Sequence, residues 1–351
     1  MTAPRVALGG NYDIPRIVIG GWQFADGHSG YAPDPDTLFR QWDELAEHDV
    51  DTFDCADIYT GVEALIGAYR RARPGRRMQV HTKFVPDRAA LATLDRSYVE
   101  RVIHRSRERL GVDVLDLVQL HWWDYASGDM VEAALALDAL RREGAIRHVG
   151  VTNTDAAHVQ AIVAAGVSLA SNQVQYSLLD RRPQGAFTDV MRDSRVAILS
   201  YGSVAGGFLS DRWLGAPEPV GDLDNRSLVK YRLVIGEGGG WAAFQRCLRV
   251  LSEVAGHHGV QIANVAQRWV LEQRGVAAAI VGMRSAASAE GTMRTLSLEL
   301  NDGDRSAIAA ALAFLPGPPG DVYALERDLD GRHAAIMKYD LQARQPEVRQ
   351  R

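Results

Sequence analysis

The chain has 351 residues but only two cysteines, Cys55 and Cys247. Two thiols with no metal-ligand spacing around them exclude a disulfide framework and a cysteine-based zinc site, and both are expected to be free in a reducing, cytoplasmic setting. No apolar run approaches the roughly 20 residues that cross a bilayer, and the first residues carry no apolar core of a secretory signal. Long basic runs are missing too. Lys plus Arg number 39 against 44 Asp plus Glu, a net charge of -5, so neither nucleic acid nor an anionic membrane is an expected partner. The scarcest common residue is lysine: Lys83, Lys230 and Lys338 are the three among those 39 basic residues. Lys230 and Lys338 fall in a loop and near the C-terminus and read as ordinary surface charges. Lys83 lies inside an apolar run, where a compact ammonium whose pKa a neighbour can tune does what a guanidinium does not.

What is present is ample core material, 46% hydrophobic residues, arranged in a repeating pattern. Short apolar or β-branched runs at 16–21, 52–54, 79–85, 115–121, 146–152, 169–175, 197–201 and 278–281 alternate with stretches of helical spacing such as 36–47, 95–110, 131–143 and 155–165. Asp stands at several candidate N-caps, and Gly144 and Gly166 follow helix ends. Eight such alternations predict a closed (β/α)8 (TIM) barrel, with an open doubly wound sheet as the other arrangement. A hairpin around Gly9-Gly10-Asn11 is expected before the first strand, and a long loop, 202–240, after strand 7. Helices are expected at 241–255, 261–272 and 302–312. The barrel is taken as one domain over 1–314, and 315–351 as a C-terminal tail that either covers the active site or makes a contact in a homo-oligomer.

Reactive side chains of a barrel gather at the C-terminal ends of its strands. Strand 2 ends Phe53-Asp54-Cys55-Ala56-Asp57-Ile58-Tyr59, strand 3 carries His81-Thr82-Lys83, and strand 4 ends Gln119-Leu120-His121-Trp122-Trp123. A phenol transfers protons poorly at pH 7 unless a cation lowers its pKa, which Lys83 can do for Tyr59. Asp54 would keep that ammonium charged and aimed, and His121 would hydrogen-bond a substrate oxygen. Taken singly, each has a bland reading as a helix cap, a rim residue or a core imidazole. Together they suit reversible proton transfer to a carbonyl oxygen. After strands 7 and 8 come Tyr201-Gly202-Ser203-Val204-Ala205-Gly206-Gly207 and Gly282-Met283-Arg284-Ser285, where glycines let backbone N–H groups approach an oxyanion and Arg284 offers a fork for phosphate. Tyr201 can stack a flat heterocycle. His257-His258 reads as a solvated helix end, and no metal site is expected.

These residues resemble the aldo-keto reductase family. Asp54 through Gly67 is similar to its D-x-A-x-x-Y-G-x-S-E-x-x-L-G signature, with Val62 at the usual small polar position. Lys83 in H-T-K, His121 in Q-L-H, Gly150-Val151-Thr152-Asn153 and Asn172-Gln173-Val174-Gln175-Tyr176 follow in register, and the likeness extends over residues 5–313. The resemblance implies a barrel that binds an extended nicotinamide cofactor without a Rossmann domain and reduces an aldehyde or ketone to an alcohol by hydride transfer from nicotinamide C4. Tyr59 is then the proton donor, Lys83 and Asp54 tune it, and His121 orients the carbonyl. Gly21, Trp22, Asp54, Thr152, Asn153, Gln173, Tyr201, Gly202, Val204, Gly206, Gly282, Met283, Arg284, Ser288 and Thr292 would contact the cofactor. Trp22, Tyr59, His121 and Trp122 would contact the small-molecule carbonyl substrate, with Trp123 as a further pocket wall.

The adenosine end departs from the family pattern. Ser288, Gly291 and Thr292 stand where a basic or long polar residue, an acid and an Asn are usual. Arg284 is the remaining phosphate ligand, which favours NADP(H) over NAD(H). Two other readings stay open: a cofactor-binding, redox-sensing barrel with negligible turnover, and a lyase or aldolase forming a Schiff base on Lys83.

Overall fold

The computed structural model describes residues 2–10, 12–26, 34–221, 223, 225–283 and 287–342, with only the backbone of Ala287 and Ser288. Ten strands form from its apolar runs. The first two, β1 (Arg5–Gly9) and β2 (Tyr12–Pro15), pair antiparallel as a hairpin. The other eight are β3 (Ile17–Gly20), β4 (Thr52–Asp54), β5 (Gln79–Phe84), β6 (Leu115–His121), β7 (Ile146–Thr152), β8 (Leu169–Gln175), β9 (Ala197–Tyr201) and β10 (Val276–Gly282). They are parallel, and they close in chain order into one barrel with β10 against β3. Helices cover the outer face, so β3, β4 and β8 are buried along their whole length; β3 is continuously apolar, while β4 and β8 also bury polar side chains.

The hairpin plugs the N-terminal end of the barrel. Leu8, Tyr12 and Ile14 pack with Val18, Leu117, Ala170, Leu199 and Ala278 in a core of their own, and the Tyr12 hydroxyl meets His81 Nε2 at 2.9 Å. Chemistry is thereby confined to the opposite end. The helices are delimited by the residues that the spacing suggested: Asp95 and Asp155 accept from the backbone N–H of Tyr98 (2.8 Å) and His158 (2.9 Å). Gly144 and Gly166 take the left-handed conformation past the ends of Met130–Arg142 and Ala156–Ala164, with φ of 86° and 92°. The first helix starts earlier than its apolar pattern, at Pro35 under an Asp34 cap.

The segment after β9 is not a structureless loop. It makes two short turns, Ala205–Gly207 and Asp211–Trp213, and then a helix, Arg226–Glu237, capped by Asn225 and burying Leu228, Tyr231, Val234 and Ile235. The tail crosses the C-terminal face of the barrel. Its short helix Ala324–Arg327 lies by the loops after β6, β7 and β8, and Gln342 ends against the loop after β5, donating its N–H to Asp87 Oδ1 at 2.6 Å. No helix among the described residues is long and apolar enough to cross a membrane.

Candidate active site

Strand register alone brings the expected residues to one level of the barrel. Gly20 lies beside Asp54, Lys83 beside Gln119, His121 beside Thr152, Thr152 beside Gln173, and Gln175 beside Tyr201. Asp54 is the hub. Its Oδ2 pairs with Lys83 Nζ at 2.7 Å, while Oδ1 accepts from Gln173 Nε2 at 2.6 Å and Gln119 Nε2 at 3.3 Å. Lys83 also donates to the Cys55 carbonyl at 2.8 Å, and its ammonium stands 5.0 Å from the centre of the Tyr59 ring. Burial pulls the Lys83 pKa down, but Asp54 and Tyr59 more than reverse this, so the ammonium titrates well above its ordinary range and stays charged.

The electrostatics of Tyr59 differ from the sequence expectation. Lys83 draws the phenol pKa down, yet burial outweighs it and the net position lies above the ordinary value near 10. The cation offsets a desolvation cost. His121 behaves as expected for a neutral ring: burial first, then Arg327, press its pKa down to about 3. Its Nδ1 sits 3.4 Å from the Thr152 carbonyl, a contact long enough to leave either neutral tautomer open to a bound ligand. The indole that packs on His121 is that of Trp123, at 4.2 Å and nearly perpendicular. Trp122, also expected at the substrate, is 1% exposed and gives its indole N–H to the Ser127 carbonyl. Trp22 reaches the site, its ring 4.8 Å from that of Tyr59. A further wall comes from the tail, for which covering the site was one of two expectations: Tyr323 stands edge-on to His121 at 5.4 Å.

Beside this quartet, Thr152 Oγ1 donates to the Gln173 carbonyl at 3.0 Å, and Asn153, at φ 56°, accepts the Tyr201 hydroxyl on Oδ1 at 2.9 Å. That bond orients the Asn153 amide so that its Nδ2 donors face elsewhere. Gly21 gives its N–H to Asp54 O at 2.7 Å, which ties the loop after β3 to the hub. Gly202 and Gly206 owe their identity to packing: a Cβ on Gly202 would overlap the Tyr231 hydroxyl, and one on Gly206 would come within 2.8 Å of Tyr231 Cδ2. The Val204 carbonyl accepts from Gly207 and Leu209 and holds the turn. Met283 is buried, Thr292 points inward to its sulfur, and Gly282 is exposed at the end of β10. Arg284 and the Ser288 side chain lie outside the described residues.

One residue passed over in the sequence belongs here. Gln23 follows Trp22, is 8% exposed, and holds its Oε1 where a Cβ on Gly282 would be 2.7 Å away, while its Nε2 is buried with no acceptor among the described residues. An orphaned donor at the seam between the first and last barrel strands, beside an exposed glycine, fits an anionic or hydroxyl-rich ligand such as a dinucleotide. A polar residue beside Trp22 in the loop after the first strand was the available signal.

Lys230, read as a surface charge, is 13% exposed. It pairs with Glu326 of the tail at 2.9 Å and stands 5.4 Å from the Tyr201 ring centre. Arg182 joins the same cluster, 2.6 Å from Asp180 and 3.5 Å from Glu326.

Known proteins share this architecture. The glycerol dehydrogenase of Gluconobacter oxydans matches with a TM-score of 0.77 over 92% of this chain and 98% of that one, at 21% identity. An aldo/keto reductase of Klebsiella pneumoniae, solved with NADP and acetate, gives 0.68 over 91% and 98%, at 22% identity. In sequence, flagellar radial spoke protein 5 of Chlamydomonas reinhardtii is 29% identical over 262 residues, covering 62% of this chain and 49% of that protein, so the chain spans about half the length of this relative. The model of the Aldo/keto reductase family matches residues 16–313, and the chain belongs to that family.

Proposed function

We propose that this protein reduces an aldehyde or ketone to the alcohol with a nicotinamide cofactor, NADPH in preference to NADH. The observation that carries the reading is the buried Asp54–Lys83 pair at 2.7 Å beside Tyr59, next to a neutral His121. The cofactor supplies the hydride when bound. NADP in the Klebsiella relative supports the choice of dinucleotide. Gln23, Thr152, Asn153, Gln173 and Tyr201 are the side chains that would hold it, joined by the exposed backbone at Gly282.

The remaining chemistry belongs to the chain's own residues. His121, uncharged at working pH, donates its ring N–H to the substrate oxygen and aligns the carbonyl. Tyr59 gives its phenolic proton to that oxygen as negative charge grows there. Lys83 stabilises the phenolate left behind, and Asp54 keeps the ammonium in place through the transfer. Trp22, Trp123 and Tyr323 wall the site and limit water, which strengthens each of these interactions.

Absorbance of NADPH in the presence of an aldehyde panel tests this, with cofactor affinity followed separately by fluorescence. Tyr59→Phe and Lys83→Arg should bind NADPH within a few-fold of wild type yet lose at least about 100-fold in kcat. Near-normal turnover in either variant refutes the assignment. Tight cofactor binding with no oxidation across the panel moves the protein to the redox-sensing alternative, and borohydride trapping of substrate on Lys83 to the Schiff-base one.

A further inference from the structure

The charges that ring the barrel mouth are almost all compensated. Lys83 has Asp54 at 2.7 Å, Lys230 has Glu326 at 2.9 Å, Arg182 has Asp180 at 2.6 Å, and Arg88 has Asp124 at 3.6 Å. Arg327 is different. Among the described residues it enters no ion pair. Its Nη2 donates to two backbone carbonyls, Trp122 O at 3.0 Å and Asn153 O at 2.8 Å, and its Nε is buried with no acceptor among the described residues. The guanidinium lies 4.0 Å from the centre of the Tyr125 ring and 5.1 Å from that of Tyr323, and Tyr323 is the ring that stands against His121. A half-buried cation without an ion-pair partner among the described residues therefore sits one aromatic ring away from the imidazole that faces the reacting carbonyl.

Such a charge is costly to hold. Two carbonyl dipoles and two aromatic faces offset part of that cost and leave the formal charge in place. Its reach into the site is evident at His121, on which Arg327 acts more strongly than any other charged residue. We propose that the site selects carbonyl compounds bearing a carboxylate, and that Arg327 is the specificity-determining residue that receives it. The inference rests on the carbonyl-reductase reading above. A carboxylate suits this guanidinium by charge: both Nη2 hydrogens are committed to the two carbonyls, and the anion would be met by the remaining N–H groups in single charge-assisted contacts. Tyr323 lies 5.4 Å from the His121 ring centre and 5.1 Å from the Arg327 guanidinium carbon. That spacing calls for a substrate whose carbonyl and carboxylate are held apart by an arene or a short carbon chain, not a 2-oxo acid with the two groups adjacent.

The test compares 4-carboxybenzaldehyde with 4-nitrobenzaldehyde as substrates of the full chain with NADPH. The two are alike in shape and size, only the first is anionic, and the nitro group makes its carbonyl the more reactive toward hydride. Wild type should favour the carboxylate by about tenfold or more in kcat/KM, as expected for one uncompensated charge acting across a partly desolvated site. Arg327→Gln should bring the ratio to one or below, and Arg327→Lys should keep part of it. Each ratio is internal to one preparation, so a loosened tail cancels from it. Should Arg327→Gln fail to fold, wild type alone decides: raising salt from about 0.02 M to about 0.5 M should lower kcat/KM for the carboxylate and leave the nitro compound unmoved. Equal or faster reduction of the nitro compound by wild type, a ratio that survives Arg327→Gln, or a salt-insensitive ratio overturns the inference and leaves the reductase intact. Reduction of neither aldehyde, nor of others in the panel, overturns the reductase reading and this inference with it.

Discussion

Glu326 offers the sharpest test of how the tail is held. Its side chain is fully buried, pairs with Lys230 at 2.9 Å and lies 3.5 Å from Arg182. Burial alone would push this carboxyl up, but Lys230 and then Arg182 overcome it, and the group titrates at about 2 against an ordinary 4.5. At about 1.4 kcal/mol per decade, that displacement is worth roughly 3 kcal/mol of folded-state stability at neutral pH. Severing a buried ion pair by mutation costs about 3–5 kcal/mol, so two independent estimates agree. Glu326→Gln keeps the shape and removes the charge, and it should lose about 3 kcal/mol at pH 7 in urea denaturation. Because the cluster joins tail to barrel, hydrogen exchange should show the loss first across 321–342. The folded pKa is the lower one, so the unfolded chain takes the proton first as pH falls. The contribution is therefore complete above about pH 4.5 and disappears as pH drops toward 2, and the gap between wild type and variant should be about halved near pH 3. Lys230→Met/Glu326→Met should recover most of the stability, since removing both charges also removes their desolvation cost. A Glu326→Gln variant within about 0.5 kcal/mol of wild type at pH 7, or a gap of the same size at pH 3, would refute the reasoning.

Two further outcomes follow from buried groups near the barrel axis. His81 and His121 are both pushed by burial to about 3, below the ordinary imidazole value, so the unfolded chain binds their protons first and stability falls as pH drops from 6.5 toward 3. Between pH 7 and 5 each should cost about 2 kcal/mol, and urea denaturation should find His81→Gln losing about that much less than wild type over this interval; an equal acid loss in both proteins contradicts it. Tyr201→Phe removes the hydroxyl that holds Asn153 Oδ1 at 2.9 Å. NADPH should then bind about five-fold more weakly by fluorescence titration, the loss of roughly one hydrogen bond, whereas an unchanged Kd means that the phenol does not orient the amide.

The sequence made the barrel legible for a local reason. Most barrel strands hold a short run rich in apolar residues that is buried on both faces, as in the seven residues of β6, Leu-Asp-Leu-Val-Gln-Leu-His, and several helix starts carry a signal of their own, as at Asp95 and Asp155. Asp54, Lys83 and His121 were legible because they close such runs or, in Lys83, break their apolar character. What stayed hidden depends on long-range contacts. The helix Arg226–Glu237 follows a stretch rich in Gly, Pro and Asp, and its apolar face becomes evident only when Tyr231 meets Gly202 and Gly206. Whether Trp122 or Trp123 turns to His121 is settled by the Ser127 carbonyl, which captures one indole, and by the Pro86 carbonyl, which takes the other at 2.8 Å. The tail was legible as a cover of the site or an oligomer contact, but nothing local in Asp321–Gln342 reveals that Glu326 seeks Lys230 some 100 positions earlier, or that Tyr323 is the residue that meets His121.

The rarity of lysine gains a physical account from these contacts. Lys83 Nζ has three close neighbours in a buried space: Asp54 Oδ2 at 2.7 Å, the Cys55 carbonyl at 2.8 Å and the face of Tyr59 at 5.0 Å. Three rotatable donors on one nitrogen match two acceptors and leave one N–H for the phenol, whereas the five fixed donors of a guanidinium would be left partly unmet at 5% exposure. Lys230 repeats the logic at the next station, a point charge set between the rings of Tyr201 and Tyr323 at 5.4 and 5.5 Å with one carboxylate beneath it. Arginine serves where geometry is wide, as at Arg327, whose flat guanidinium spans two carbonyls and stacks on Tyr125. The two lysines and this arginine thus stand in sequence from the proton donor outward: a charge fixed by Asp54, a charge fixed by Glu326, and a charge with no carboxylate of its own. Among the described residues Arg327 is the one of these three cations without an ion pair, and it is this place that the carboxylate of the proposed substrate would fill.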